Sequence, residues 1–226
     1  MSRRLQLETA TLRDRLERGD PYWPAQLAIA VAIALNFALS DRITVGPTWL
    51  LPSVEGVLLL ALVVIAPARA NAHTRGTRRV ALAVIGFVSL ANVVSLGLLV
   101  HYLVNGGNAG GHRLIFSGAA LWVTNVLLFA VWYWEMDRGG PVARFLDAHP
   151  LRDFQFPQME NPELAPPDWR PGFLDYLYTS LTNATAFSPT DTMPLTQSAK
   201  MVMGLQSTSA LLTIGLVVAR AVNILG

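Results

Sequence analysis

The chain has 226 residues, of which 52% are hydrophobic and 14% charged, with a formal net charge of +2 and a mean hydropathy of +0.40. Soluble domains carry about 25% charged residues and disordered chains combine low hydrophobicity with high net charge, so the composition excludes both. The small net charge gives no basis for nucleic-acid binding, and the absence of cysteine removes disulfides, thiolate metal sites and cysteine nucleophiles.

Residues 1–20 lack the apolar stretch and small-residue cleavage site of a signal peptide. Leu5, Leu12 and Leu16 recur at helical spacing, and Arg13–Glu17 and Asp14–Arg18 are i,i+4 pairs. They predict an amphipathic helix, stopped by Gly19, Asp20 and Pro21, that lies at the membrane surface or contacts another subunit. Five apolar runs follow, at Tyr22–Leu39, Trp49–Ala66, Val80–Val104, Leu114–Met136 and Ala199–Leu225. About 20 apolar residues suffice to cross a bilayer as helix. The expected fold is therefore all-α: a polytopic membrane protein with five transmembrane helices plus one short re-entrant helix before the last span. Residues 21–113 are expected to form a peripheral three-helix bundle. Residues 114–226 are expected to form a module of outer helix (114–136), polar proline-rich linker (137–171), re-entrant helix and loop (172–196) and inner helix (199–225). Tyr22 and Trp23 at the start of the first span, and Trp132, Tyr133 and Trp134 near the end of the fourth, read as interfacial aromatic anchors. The linker reads as solvated and irregular.

Arginine placement orients the chain. Arg3, Arg4, Arg13, Arg15 and Arg18 precede the first span, and Arg69, Arg75, Arg78 and Arg79 lie between the second and third. The positive-inside rule puts both groups, and with them the N-terminus, in the cytoplasm. The linker then begins on the cytoplasmic side and the C-terminus lies outside.

The segment Gly172–Phe187 begins like a helix, with Asp175 in its first turn and Phe173, Leu174, Leu177, Tyr178 and Leu181 as an apolar face. It then turns small and polar through Thr182, Asn183 and Thr185, and Pro189 and Pro194 prevent continuation. Ten to twelve helical residues are too short for a bilayer of about 30 Å. Irregular polar backbone at membrane depth requires burial in protein or access to water, so the segment is expected to dip in and return. In the last span Gln206, Ser209, Thr213 and Arg220 share one face. Such a stripe faces protein or water, and both helix–helix bonding and the lining of a water-filled path fit it. Ser89, Asn92 and Ser95, and Ser117, Thr124 and Asn125, read as bonds between helices.

The run Tyr178–Phe187, the turn Thr190-Asp191-Thr192-Met193-Pro194-Leu195-Thr196 and the long helix after it resemble the pore module of tetrameric potassium-type channels. Ser180-Leu181-Thr182 match its threonine-rich start, and Asp191 and Pro194 match its later aspartate and proline. Thr185-Ala186-Phe187 stand where that family has Gly-Tyr-Gly. The segment from Asp153 onward also resembles a family of uncharacterised bacterial inner-membrane proteins, which implies a bacterial cytoplasmic membrane but supplies no activity. The channel resemblance implies a homo-oligomer, a tetramer above all, conducting a small inorganic ion of monovalent-cation type. Thr182, Asn183, Thr185 and Phe187 would form the constriction, and Gln206, Ser209 and Thr213 the vestibule. It implies no cofactor and no metal site. Nucleotide, serine-hydrolase and zinc-protease motifs are absent, so an enzyme is not expected. A non-conducting scaffold or accessory subunit with the same fold stays open as the alternative.

Overall fold

A computed structural model of the chain describes residues 20–43, 75–104, 111–145, 151–185 and 191–225. The expected surface helix before Asp20, the expected span over 49–66, Phe187 and Pro189 lie outside the described residues. The main helices are α1 (Trp23–Ile43), α2 (Arg75–Val104), α3 (Gly111–Met136), α6 (Phe173–Thr185) and α7 (Gln197–Leu225). The short helices α4 (Pro141–Phe145) and α5 (Pro157–Glu160) lie in the linker, with strands β1 (Phe154–Gln155) and β2 (Met193–Pro194). Among the described residues, three stretches are long and apolar enough to cross a membrane: Leu82–His101, Ile115–Gly139 and Gln197–Ala219. Trp23–Asn36 is a shorter apolar helix.

α3 is the axis of the bundle. Trp132 donates to Ser89 of α2 at 2.9 Å, and Leu96 and Leu99 pack with Ala120 and Leu121, so α2 runs antiparallel to α3. Tyr22 meets Trp134 edge-on at 5.4 Å while Leu35 packs near Leu121, so α1 is antiparallel to it as well. α7 is also antiparallel: Gln206 lies against Tyr133, Ser209 against Asn125 and Val217 against Gly118. A Cβ on Gly118 would sit 2.1 Å from Val217 Cγ2, so glycine here permits the close approach of α3 and α7.

The aromatic trio at the end of α3 is not an interfacial belt. Tyr133 and Trp134 are fully buried within the chain, and Trp132 is spent on Ser89. Each polar tip has a protein partner, which removes the need for water at the membrane surface. Trp23, by contrast, is exposed.

The linker is likewise more ordered than its composition suggests. Past Met136 the backbone takes left-handed conformations at Arg138 (φ 51°), Gly139 (φ 81°) and Gly140 (φ 99°), which reverse the chain. β1 pairs antiparallel with β2, Phe154 opposite Pro194 and Gln155 opposite Met193. Phe154 and Phe156 are buried against Tyr133 and Tyr176. Aromatic side chains placed between polar residues carry part of the linker into the core, while Leu151 and Leu164 remain exposed.

Candidate functional site

α6 is built from both ends. Asp175 Oδ2 accepts the Gly172 N–H at 2.8 Å and Asp20 Oδ1 accepts the Phe173 N–H at 3.2 Å, so two carboxylates satisfy donors that a helix start leaves open. Burial pushes the Asp175 carboxyl above its ordinary value, with the Gly172 amide opposing. At the other end Thr182 donates to the Tyr178 and Thr179 carbonyls, and Thr185 donates to the Thr182 carbonyl at 2.7 Å. Each hydroxyl thus returns to its own helix.

The buried face of α6 is Phe173, Tyr176, Thr179, Ser180 and Ala184. This differs from the expected apolar face, of which Leu174, Tyr178 and Leu181 point outward at 71%, 64% and 40% exposure. The reason is polar and steric. Tyr176 reaches Asp137 Oδ2 at 2.5 Å, Ser180 Oγ donates to the Val126 carbonyl at 2.7 Å, and the small Ala184 lets Trp122 Nε1 reach its carbonyl at 3.4 Å. α6 therefore descends along α3 from the level of Trp134, whose ring lies 6.1 Å from Phe173, to the level of Trp122.

The chain then comes back. Thr192 lies 3.2 Å from Thr179, hydroxyl to hydroxyl. The Leu195 N–H donates to the Asp153 carbonyl at 2.8 Å, and Thr196 Oγ1 donates to Asp153 Oδ1 at 2.6 Å. Thr196 Oγ1 also accepts the Ala199 N–H and so caps α7. Asp153 in turn accepts the Arg138 N–H and donates its own N–H to Asp137 Oδ1. Both ends of segment 172–196 thus sit at the C-terminal end of α3. Pro194 belongs to β2, and Asp191 is exposed just ahead of it.

A polar lock holds α6 between α3 and α7. Gln206 is completely buried. Its Nε2 donates to the Ser180 carbonyl at 2.9 Å and to Ser180 Oγ at 2.6 Å. Its Oε1 accepts from Asn183 Nδ2 at 2.8 Å and from the Tyr133 hydroxyl. Asn183 Nδ2 also reaches the Met203 carbonyl at 3.0 Å, and Asn183 Oδ1 accepts from Ser207 at 2.9 Å. One turn on, Asn125 donates to Ser209 Oγ at 2.6 Å, and Thr213 donates to the Ser209 carbonyl at 2.8 Å. Asn183, Gln206, Ser209 and Thr213 are therefore brought together inside the chain, whereas Thr182 and Thr185 lie at its edge.

Sequence reasoning missed Tyr133, Tyr176, Asp137, Asp153, Asp20 and Arg144. Their pairings span from 7 to 153 residues, and no local pattern announces them. Compared with protein-family models, curated proteins and solved structures, the chain matches none.

Proposed function

We propose that the chain is a channel-like integral membrane protein in which segment 172–196 dips into the bilayer and returns, and in which copies assemble around an axis, a tetramer favoured, to pass a small monovalent cation. The observation that carries this reading is the position of the segment's two ends beside Asp20 and Asp153, at one end of α3, with its middle beside Trp122. α6 has 13 residues, about 20 Å at helical rise, against a hydrocarbon layer of about 30 Å. A helix ending at that depth needs protein or water over its terminus. The outward Leu174, Tyr178 and Leu181 of α6, with Met201, Leu205 and Leu212 of α7, offer a surface for further copies.

The chemistry of the lining follows from the hydroxyls. Thr182 and Thr185 give their protons to backbone carbonyls, which leaves oxygen lone pairs as ligands for a cation. The C-terminal carbonyls of α6 add partial negative charge. The constriction falls to Thr182 and Thr185. Asn183 and Gln206 serve to hold α6 in place.

Topology supports five crossings. α1 and α2 both run antiparallel to α3, and two parallel helices consecutive in the chain are what the expected span over 49–66 calls for. The chain at the α3 end that meets Asp20 also carries Arg138, Arg144 and Arg152, the first and last beside Asp153 and the second bonded to Asp20. By the positive-inside rule this end and the N-terminus are read as cytoplasmic, and the bacterial membrane follows from the resemblance of the segment after Asp153.

Purified protein in proteoliposomes is expected to pass monovalent cations, and Thr185→Trp is expected to reduce that flux. Vesicles that stay tight with oligomer present would contradict conduction. A second reading, a non-conducting scaffold or accessory subunit, is favoured by one observation: the polar stripe of α7 finds its partners inside a single chain. A monomer in mild detergent with tight vesicles is the outcome that selects it.

A further inference from the structure

Asp20 stands two residues ahead of Tyr22 and three ahead of α1, yet its carboxylate touches three other parts of the chain. Oδ2 accepts from Trp134 Nε1 of α3 at 2.7 Å and from Arg144 Nη2 of α4 at 3.2 Å. Oδ1 accepts the Phe173 N–H that opens α6 at 3.2 Å. Arg144 is buried, 7% exposed, and its other nitrogen donates to the Trp134 carbonyl at 2.5 Å and the Asp137 carbonyl at 3.1 Å. Its guanidinium lies 4.9 Å from the Tyr176 ring centroid, a cation–π contact to the first turn of α6. Tyr176 closes the circuit through its bond to Asp137. α6 is thus held at its start by two carboxylates, Asp20 and Asp137, and by the Arg144 guanidinium, which Asp20 in turn holds.

We infer that Asp20 is a latch that couples the chain ahead of the first membrane helix to the seating of α6. The polar lock at Ser180, Asn183 and Gln206 fixes the lower turns of α6 to α7. The first turn is tied instead to the end of α3, to α4 and to Asp20. Displacing Asp20 takes away the Phe173 cap and leaves Arg144 as a buried cation with only carbonyls and rings for company, which is the costly outcome for a broken buried pair. The start of α6 then swings on its lower turns. An event that moves Asp20 acts directly on α6 through this side chain, beside the ring contacts that run from Tyr22 through Trp134 to Phe173. The coupling concerns the position of α6 and stands whether or not the chain conducts.

The test uses spin labels on the full-length chain, which has no native cysteine. One pair sits at exposed positions of α2 and α6, Val93→Cys with Leu174→Cys; a control pair sits on α2 and α7, Val93→Cys with Leu211→Cys. Distances are measured by pulsed electron resonance in nanodiscs for Asp20, Asp20→Glu, Asp20→Asn and Asp20→Ala. The α2–α6 distance is expected to be single with Asp20. It should gain a second, longer population in Asp20→Asn and more of it in Asp20→Ala, and return toward one population in Asp20→Glu. The α2–α7 distance should stay unchanged throughout. An α2–α6 distance indifferent to Asp20→Ala would overturn the latch. So would broadening of both pairs together, which marks general loosening of the bundle instead of a hinge at α6.

Discussion

Gln206 is the residue on which α3, α6 and α7 converge, and its amide is fully used: two donors face Ser180 and one acceptor faces Tyr133 and Asn183. Gln206→Leu keeps most of the volume and strands buried polar partners, so it is expected to destabilise the protein by about 1–3 kcal/mol. Equilibrium unfolding in mixed micelles measures this. Leu90→Ala, at an exposed position of α2, serves as the near-silent control. Asp175 yields a pH prediction. Burial raises its carboxyl above the ordinary 3.8, so the folded chain holds this proton to higher pH than the unfolded chain. The stability so contributed is complete below pH 3.8 and is lost as pH rises through the folded value. Melting temperature should therefore fall more with rising pH in the parent than in Asp175→Asn, which keeps an acceptor for the Gly172 N–H. Equal slopes would show that Asp175 titrates as it does in water. At this scale the sequence marked Asn183, Gln206, Ser209 and Thr213 as polar groups in an apolar setting, because burying them without partners is costly. Their partners were not legible: Tyr133 looks like a surface anchor until its hydroxyl is seen to point at Gln206.

Elements were legible where hydrophobic length or a cap set them. α6 starts beside Asp175 and runs to Thr185, close to the expected bounds. Its orientation was not legible. Leu174, Tyr178 and Leu181 form the more apolar stripe, yet the face that packs carries Tyr176, Ser180 and Ala184, chosen for bonds to α3 and for small size. In a membrane the apolar stripe gains little by turning inward, since lipid tails are as apolar as leucine. The same logic of close approach governs the contact of α3 with α7. Gly118→Ala forces a methyl against Val217, with an expected cost of about 1–3 kcal/mol. Val217→Ala in the same chain should recover most of the loss, as read by thermal unfolding. A double variant no better than Gly118→Ala would mean that the helices are held apart by something else.

For the whole molecule, composition made the membrane class evident, and three helices among the described residues are long and apolar enough to cross a bilayer. The linker escaped sequence reasoning because its order comes from distant pairs, Asp153 with Thr196 and Phe154 with Tyr176, on a background rich in proline. What the functional proposal needs most is that segment 172–196 goes in and comes out on one side. Single cysteines placed along it in a chain free of native cysteine can be labelled with an impermeant maleimide from either face of sealed vesicles. Gly172→Cys and Leu195→Cys should react from the same face, the cytoplasmic one, with Leu181→Cys unreactive between them. Reaction of the two ends from opposite faces, or of all three from one face, would contradict a dip into the bilayer.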